Sequence, residues 1–189
     1  PWYHFGVPIW APVTLEGSYH LTLVNNGDSK NTGGVHQSSL IKALSNWPNR
    51  ANEFPHTITV AMLLAHYSDQ NYHGTYYAKA QNLRRRLRAE IDTALTNHDV
   101  LLLPTTAMTT AKIPDPNVPL PQYLEHSWRN ITNTCQLNLT GHPGISVPCG
   151  LSDGKPVGLQ FIGKHWEEST LYRAAHAYEQ SVDWQNLGT

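Results

Sequence analysis

From Tyr72 to Asn97 the residues Tyr76, Ala80, Leu83, Leu87, Ile91, Ala94 and Leu95 recur on one face of a 3.6-residue period, while Lys79, Arg84, Arg85, Arg88, Glu90 and Asp92 fall elsewhere. That spacing predicts an amphipathic helix of about six or seven turns, whose apolar stripe needs a partner layer. His98-Asp99 then turns into the apolar run Val100 to Pro104, the pattern of a strand buried on both faces. A long helix followed at once by such a strand points to a layered α/β architecture.

Two further apolar runs, Gly144 to Pro148 and Pro156 to Ile162, flank Ser152-Asp153-Gly154-Lys155. Asp-Gly between apolar runs signals a tight hairpin, so these should be adjacent antiparallel strands. A last helix is expected from Glu167-Glu168, with Leu171, Ala174, Ala175, Tyr178 and Val182 on its packing face. Upstream, Pro55 suits a helix entry, and Ile58, Met62 and Ala65 predict a helix from about Thr57 to Tyr67. A shorter helix is expected around Tyr123 to Cys135. The prolines at 114, 116, 119 and 121 make Ala111 to Pro121 a loop. The first third, Pro1 to Asn52, shows no sustained period and reads as loops around short elements.

Thirteen basic against fourteen acidic residues give a formal charge of -1, so no broad field draws the chain to nucleic acid or to an anionic membrane. Arg84-Arg85-Arg86 therefore reads as a solvated helix face. No apolar run approaches the roughly 20 residues needed to span a bilayer. A soluble chain is expected, cytoplasmic, with secretion left open because residue 1 is Pro and the start looks cut. Two cysteines, Cys135 and Cys149, do not make a disulfide framework.

Several blocks together resemble the C-terminal region of the amidase signature family. They are Asn138-Leu-Thr-Gly-His-Pro-Gly-Ile-Ser-Val-Pro-Cys-Gly150, Asp153-Gly-Lys-Pro-Val-Gly-Leu-Gln-Phe-Ile-Gly163 and Thr170-Leu-Tyr-Arg-Ala-Ala-His-Ala-Tyr-Glu179, preceded by Tyr76-Tyr-Ala-Lys-Ala-Gln-Asn-Leu83 and Asp99-Val-Leu-Leu-Leu-Pro-Thr-Thr106. The resemblance implies part of an α/β/α sandwich with a mixed central sheet, incomplete in this chain. It also implies hydrolysis of a carboxamide to acid and ammonia or amine, without a cofactor. Residues 1–189 would then be the C-terminal portion of a single amidase domain, with 1–56 loop-rich and divergent, 57–97 helical, and 98–189 holding sheet strands and the C-terminal helix.

Catalysis in that family runs through a Ser, a second Ser on a cis peptide, and a Lys, in a Gly- and Ser-rich segment. A neutral Lys can take a proton through the bridging Ser and so activate the nucleophile. Nothing here matches that segment: Gly33-Gly34-Val35-His36-Gln37-Ser38-Ser39 has its serines at the wrong distance, and no lysine precedes Lys30. The expectation is no catalytic residue in this chain. The expected partners are a small-molecule amide and the N-terminal half of the same enzyme, on the same or a separate chain, with a homodimer as a further candidate.

What this part can contribute is recognition. Tyr123, Trp128, Ile131, Thr134 and Cys135 are the candidate pocket residues, together with the loop Ala111 to Pro121. In the tRNA-dependent amidotransferase branch an acid is expected near the place of Ile131, to hold an amino group. A neutral residue there favours an amide without an ammonium group, and Tyr123 and Trp128 suit an aryl or alkyl acyl part. The alternatives are the amidase subunit of a tRNA-dependent amidotransferase, or a non-catalytic module that keeps the scaffold. The eleven histidines form no His-x-x-x-His pair with a Glu and do not cluster with cysteine, so a structural or surface role is expected and no metal site. Cys149 reads as scaffold, not as a thiol nucleophile paired with His142.

Overall fold

The computed structural model describes residues 2–28, 35–115, 117–183 and 186. Lys30, Gly33, Gly34 and Pro116 lie outside the described residues. The chain divides into two compact units, one formed by Pro1–Val7 with Leu83–Thr189 and the other by Pro8–Asn82. Its helices are α1 (Gly6–Tyr19), α2 (Ser38–Leu44), α3 (His56–Tyr72), α4 (Thr75–Thr96), α5 (Leu120–Trp128), α6 (Cys135–Thr140) and α7 (Glu168–Ser181). Its strands are β1 (Leu101–Pro104), β2 (Gly144–Ser152) and β3 (Lys155–Ile162). No helix among the described residues is long and apolar enough to cross a membrane.

In the first unit β3 lies between β1 and β2, antiparallel to both. Asp153 and Gly154 sit at φ 51° and 71°, the left-handed pair that a two-residue hairpin turn requires. Pro148 is tolerated because β2 is an edge strand, and the register shifts between Pro148 and Gly150 in a bulge. One face of the sheet packs Ile162 with Ile91 and Leu95 of α4 and Leu137 of α6, with Tyr3, Leu101 and Leu103 against them. On the other face Val147 and Phe161 pack with Leu171 and Ala175 of α7, flanked by Ala174 and Tyr178. Helices thus cover both faces, the α/β/α layering expected, and β1 and β2 have no further strand beside them among the described residues.

Some expectations need correction. Val100 to Pro104 is not buried on both faces: Leu101 and Leu103 are half-buried, but Leu102 is 53% exposed. β1 is an edge strand, and α7 packs over β2 and β3 in preference to it. The predicted break near Tyr67 falls instead after Tyr72, where His73 and Gly74 both adopt the left-handed conformation that ends a helix. The helix expected around Tyr123 to Cys135 starts earlier, at Leu120, because Pro121 is accepted in a first turn, and it ends at Trp128, with α6 a separate helix from Cys135.

The second unit holds an element that the sequence pattern does not predict. Gly6 to Tyr19 form a helix of fourteen residues despite Pro12 within it. Within this unit Tyr19 Oη lies 2.8 Å from His66 Nδ1 on α3, His20 Nε2 lies 2.9 Å from Asp69 Oδ1, and the Ser68 hydroxyl donates to buried Glu16 (2.6 Å). α2 begins at Ser38, one of the short elements of the first third.

Candidate functional site

The loop leaving β1 is tied down at three points. Thr105 N–H donates to Gly158 O (2.8 Å), Lys155 Nζ donates to Thr110 O (2.9 Å), and Asn133 Nδ2 donates to Pro104 O (2.9 Å). Pro119 then caps α5, with Tyr123 N–H on its carbonyl (3.0 Å). Between this loop and α5 lies a cleft of about 480 Å³ lined by Thr106, Met108, Thr110, Ala111, Lys112, Ile113, Pro114, Tyr123, His126, Ser127 and Asn130. The proline-rich loop and Tyr123, two separate sequence candidates, thus face one space. Its lining mixes aliphatic and aromatic side chains with about as many polar ones, Lys112 among them, and no acid is among the described residues that line it. His126 Nδ1 is buried without a hydrogen bond.

The other candidates lie elsewhere. Trp128 ends α5 and is 37% exposed. Ile131 closes a short 3-10 turn, half-buried, with its carbonyl accepting from Thr134 N–H (3.1 Å) and Thr134 Oγ1 (3.3 Å). Thr134 is therefore occupied in starting α6. Cys135 is fully buried, its thiol donating to Gln136 Oε1 (3.4 Å). None of these four lines the cleft. Cys149 directs its thiol to Val157 O (3.5 Å), while His142 bonds Thr140 and Asp92, so no thiol–imidazole pair forms.

Burial pushes the Cys135 thiol up from 9 to about 11, and burial first, then the neighbouring Cys135, raises the Tyr3 phenol from 10 to about 12. Both groups keep protons in the folded state that an unfolded chain would release. The stability they supply is full below about pH 9 and is lost as pH climbs through about 11 and 12. Urea midpoints are expected to fall steadily from pH 9 to 11, and Tyr3→Phe is expected to flatten the upper part of that fall. A constant midpoint across this range would contradict the burial of both groups.

Sequence reasoning missed one cluster. Asp92 on α4, His142 before β2 and His165 after β3 each offer a ligand atom within 4.8 Å of the others. No spacing rule could reveal it, because the three residues come from separate elements. Burial, then His165, lowers the pKa of His142, against the opposing pull of Asp92.

A family model described as amidase matches residues 12–172, and the chain belongs to the amidase family. Over 176 residues it is 34% identical to an enantioselective amidase of Rhodococcus rhodochrous, covering 92% of this chain and 34% of that protein. Over 113 residues it is 45% identical to one subunit of the glutamyl-tRNA(Gln) amidotransferase of Bacillus licheniformis, covering 59% of this chain and 22% of that one. An uncharacterized protein in the nthA 5′ region of Rhodococcus erythropolis is 32% identical over 173 residues, with 91% and 87% covered. Among solved structures, a bacterial aryl acylamidase of the amidase signature enzymes superposes with a TM-score of 0.66 at 18% identity over 95% of this chain and 34% of its own, a likeness of fold. The chain therefore spans about a third or less of the length of these amidases and of the amidotransferase component.

Proposed function

We propose that this chain is the C-terminal portion of an amidase that hydrolyses a neutral carboxamide to a carboxylic acid and ammonia or amine. The nucleophilic Ser, the bridging Ser and the Lys would come from residues upstream of this sequence, so the catalytic residues lie outside it. The observation that carries this reading is the match to the enantioselective amidase, which runs through nearly the whole chain while occupying only a third of that enzyme. In this reading the cleft between the β1 loop and α5 holds the acyl part of the amide against Tyr123 and Met108. Lys112 in its lining would repel an ammonium group, which favours a neutral amide over an aminoacyl substrate. The amidotransferase match is higher in identity but covers only 59% of this chain, so the amidase accounts for more of it.

Two materials test this reading: the 189-residue chain alone, and the chain fused behind the upstream portion of the Rhodococcus rhodochrous amidase. Ammonia release from aliphatic and aromatic amides is expected only from the fusion. Turnover by the chain alone would overturn the upstream triad, and an inactive but folded fusion would favour a non-catalytic scaffold. In the active fusion, Tyr123→Ala should lower kcat/KM for an aromatic amide about tenfold, mostly through KM, because burying a ring against apolar walls is worth roughly 1–2 kcal/mol. A short aliphatic amide should change far less. Equal losses for both substrates would remove Tyr123 from the acyl wall.

A further inference from the structure

We infer that Asp92, His142 and His165 together bind a divalent transition-metal cation of the zinc type. Thr140 lies in the last turn of α6, and its single hydroxyl proton is donated to Gln136 O one turn back (3.0 Å). While that proton stays on Gln136 O, Thr140 Oγ1 accepts from His142 Nδ1, 2.9 Å away, and the ring is in the tautomer protonated at Nδ1. In the neutral ring this leaves Nε2 as a bare lone pair. That lone pair lies 3.1 Å from Asp92 Oδ1, which also brings only lone pairs. In that tautomer a cation between the two acceptors satisfies both.

His165 adds a third ligand to the same place. Its Nε2 is buried without a hydrogen bond and lies 3.9 Å from the same carboxylate oxygen. The two imidazole rings lie with centroids 4.1 Å apart, tilted by 39°, and the His142 side chain is wholly inaccessible to solvent. Arg88 Nε approaches the other oxygen, Asp92 Oδ2, at 3.7 Å, which leaves Oδ1 turned to the cluster.

Two imidazoles and one carboxylate form a donor set suited to zinc-like ions, at bond lengths of about 2.0–2.2 Å. Ligand atoms around such an ion stand roughly 3.3 Å apart; the gaps to Asp92 Oδ1 are 3.1 and 3.9 Å, and all three ligand atoms lie within 4.8 Å of one another. The Thr140 contact is compatible with the tautomer that ligation needs, the usual place of an outer partner to a metal-bound histidine. An ion here would join α4, the turn after α6 and the turn after β3, with a fourth position open to water.

The test uses the metal-free protein at pH 7.5, titrated with Co²⁺ and followed by its visible d–d bands, and with Zn²⁺ followed by calorimetry. One equivalent is expected to bind, and Zn²⁺ should raise the thermal midpoint. Because His142 is buried and its replacement could unfold the chain, the variants are His165→Gln and Asp92→Asn, with His176→Gln on the exposed face of α7 as the control. The first two should each weaken binding at least tenfold, and the third should leave it unchanged. Absence of stoichiometric binding would mean that a proton on His142 fills the gap and would overturn the proposal. Equal binding by all three variants would do the same, since it would mark scattered surface histidines.

Discussion

Ile162→Ala is expected to cost about 3–4 kcal/mol, read as a drop in the urea midpoint at unchanged m-value. Ile162 is fully buried near the end of the central strand, opposite Leu101 on one side and Gly144 on the other. It is the residue through which the sheet meets both α4 and α6, by way of Ile91, Leu95 and Leu137. Truncation removes three carbons from a site that helices and strands already enclose, so the cavity cannot collapse cheaply. A typical domain holds only about 5–15 kcal/mol in total, so the change would be a large share of its stability. Leu102→Ala, on the exposed side of β1, gives the contrast, because a side chain already half in water forfeits less transfer free energy, about 1 kcal/mol. Similar losses at Leu102 and Ile162 would show that the core does not lie where the sheet and α4 place it.

The parts of this fold that can be read in advance are those set by local chemistry. Asp153-Gly154 predicts the hairpin because few residues besides glycine and Asx accept two successive positive φ angles, and the backbone adopts them there. Leu171, Ala174, Ala175 and Tyr178 predict the packing face of α7 because the spacing alone puts them on one stripe. α1 is different. Val7, Pro8, Ile9, Trp10, Ala11, Pro12 and Val13 are apolar on every side, so no period distinguishes helix from loop. Pro8 falls in the first turn, where its missing N–H would have had no helical partner. Only Pro12 removes a hydrogen bond, and the rest of the helix carries that loss.

The same division runs through the sites. The clustered prolines and Tyr123 can be read as a loop and an aromatic wall, because a loop that cannot be regular structure stays at the surface. Trp128, Ile131, Thr134 and Cys135 are candidates by residue type and place along the chain, which do not say which way a side chain faces. None of them lines the cleft, although Ser127 and Asn130 beside them do, and Cys135 is in the core. Asp92, His142 and His165 have no common stretch of sequence at all. Their meeting depends on β3 pairing with β2 and on α4 lying across that sheet.

Gly6→Ala should cost about 3 kcal/mol, although alanine is the better helix former and Gly6 opens α1. A methyl group at Gly6 would lie 2.5 Å from Gln136 Cδ and Nε2 and 2.6 Å from Cγ. Gln136 is buried and cannot swing aside freely, since its amide donates to Tyr3 O (3.1 Å) and Thr132 O (2.8 Å) while its oxygen accepts from the Cys135 thiol. Displacing it breaks two hydrogen bonds to backbone carbonyls, each worth about 1–1.5 kcal/mol net, and buries what is left unpaired. Gln136→Ala alone should cost a similar amount by deleting the same bonds. In the double variant the new methyl group meets no glutamine, and those bonds are lost only once. The sum of the two single losses should therefore exceed the double by about 2 kcal/mol. Additive losses would mean that the two residues do not touch, and the packing of the chain start against α6 would have to be redrawn.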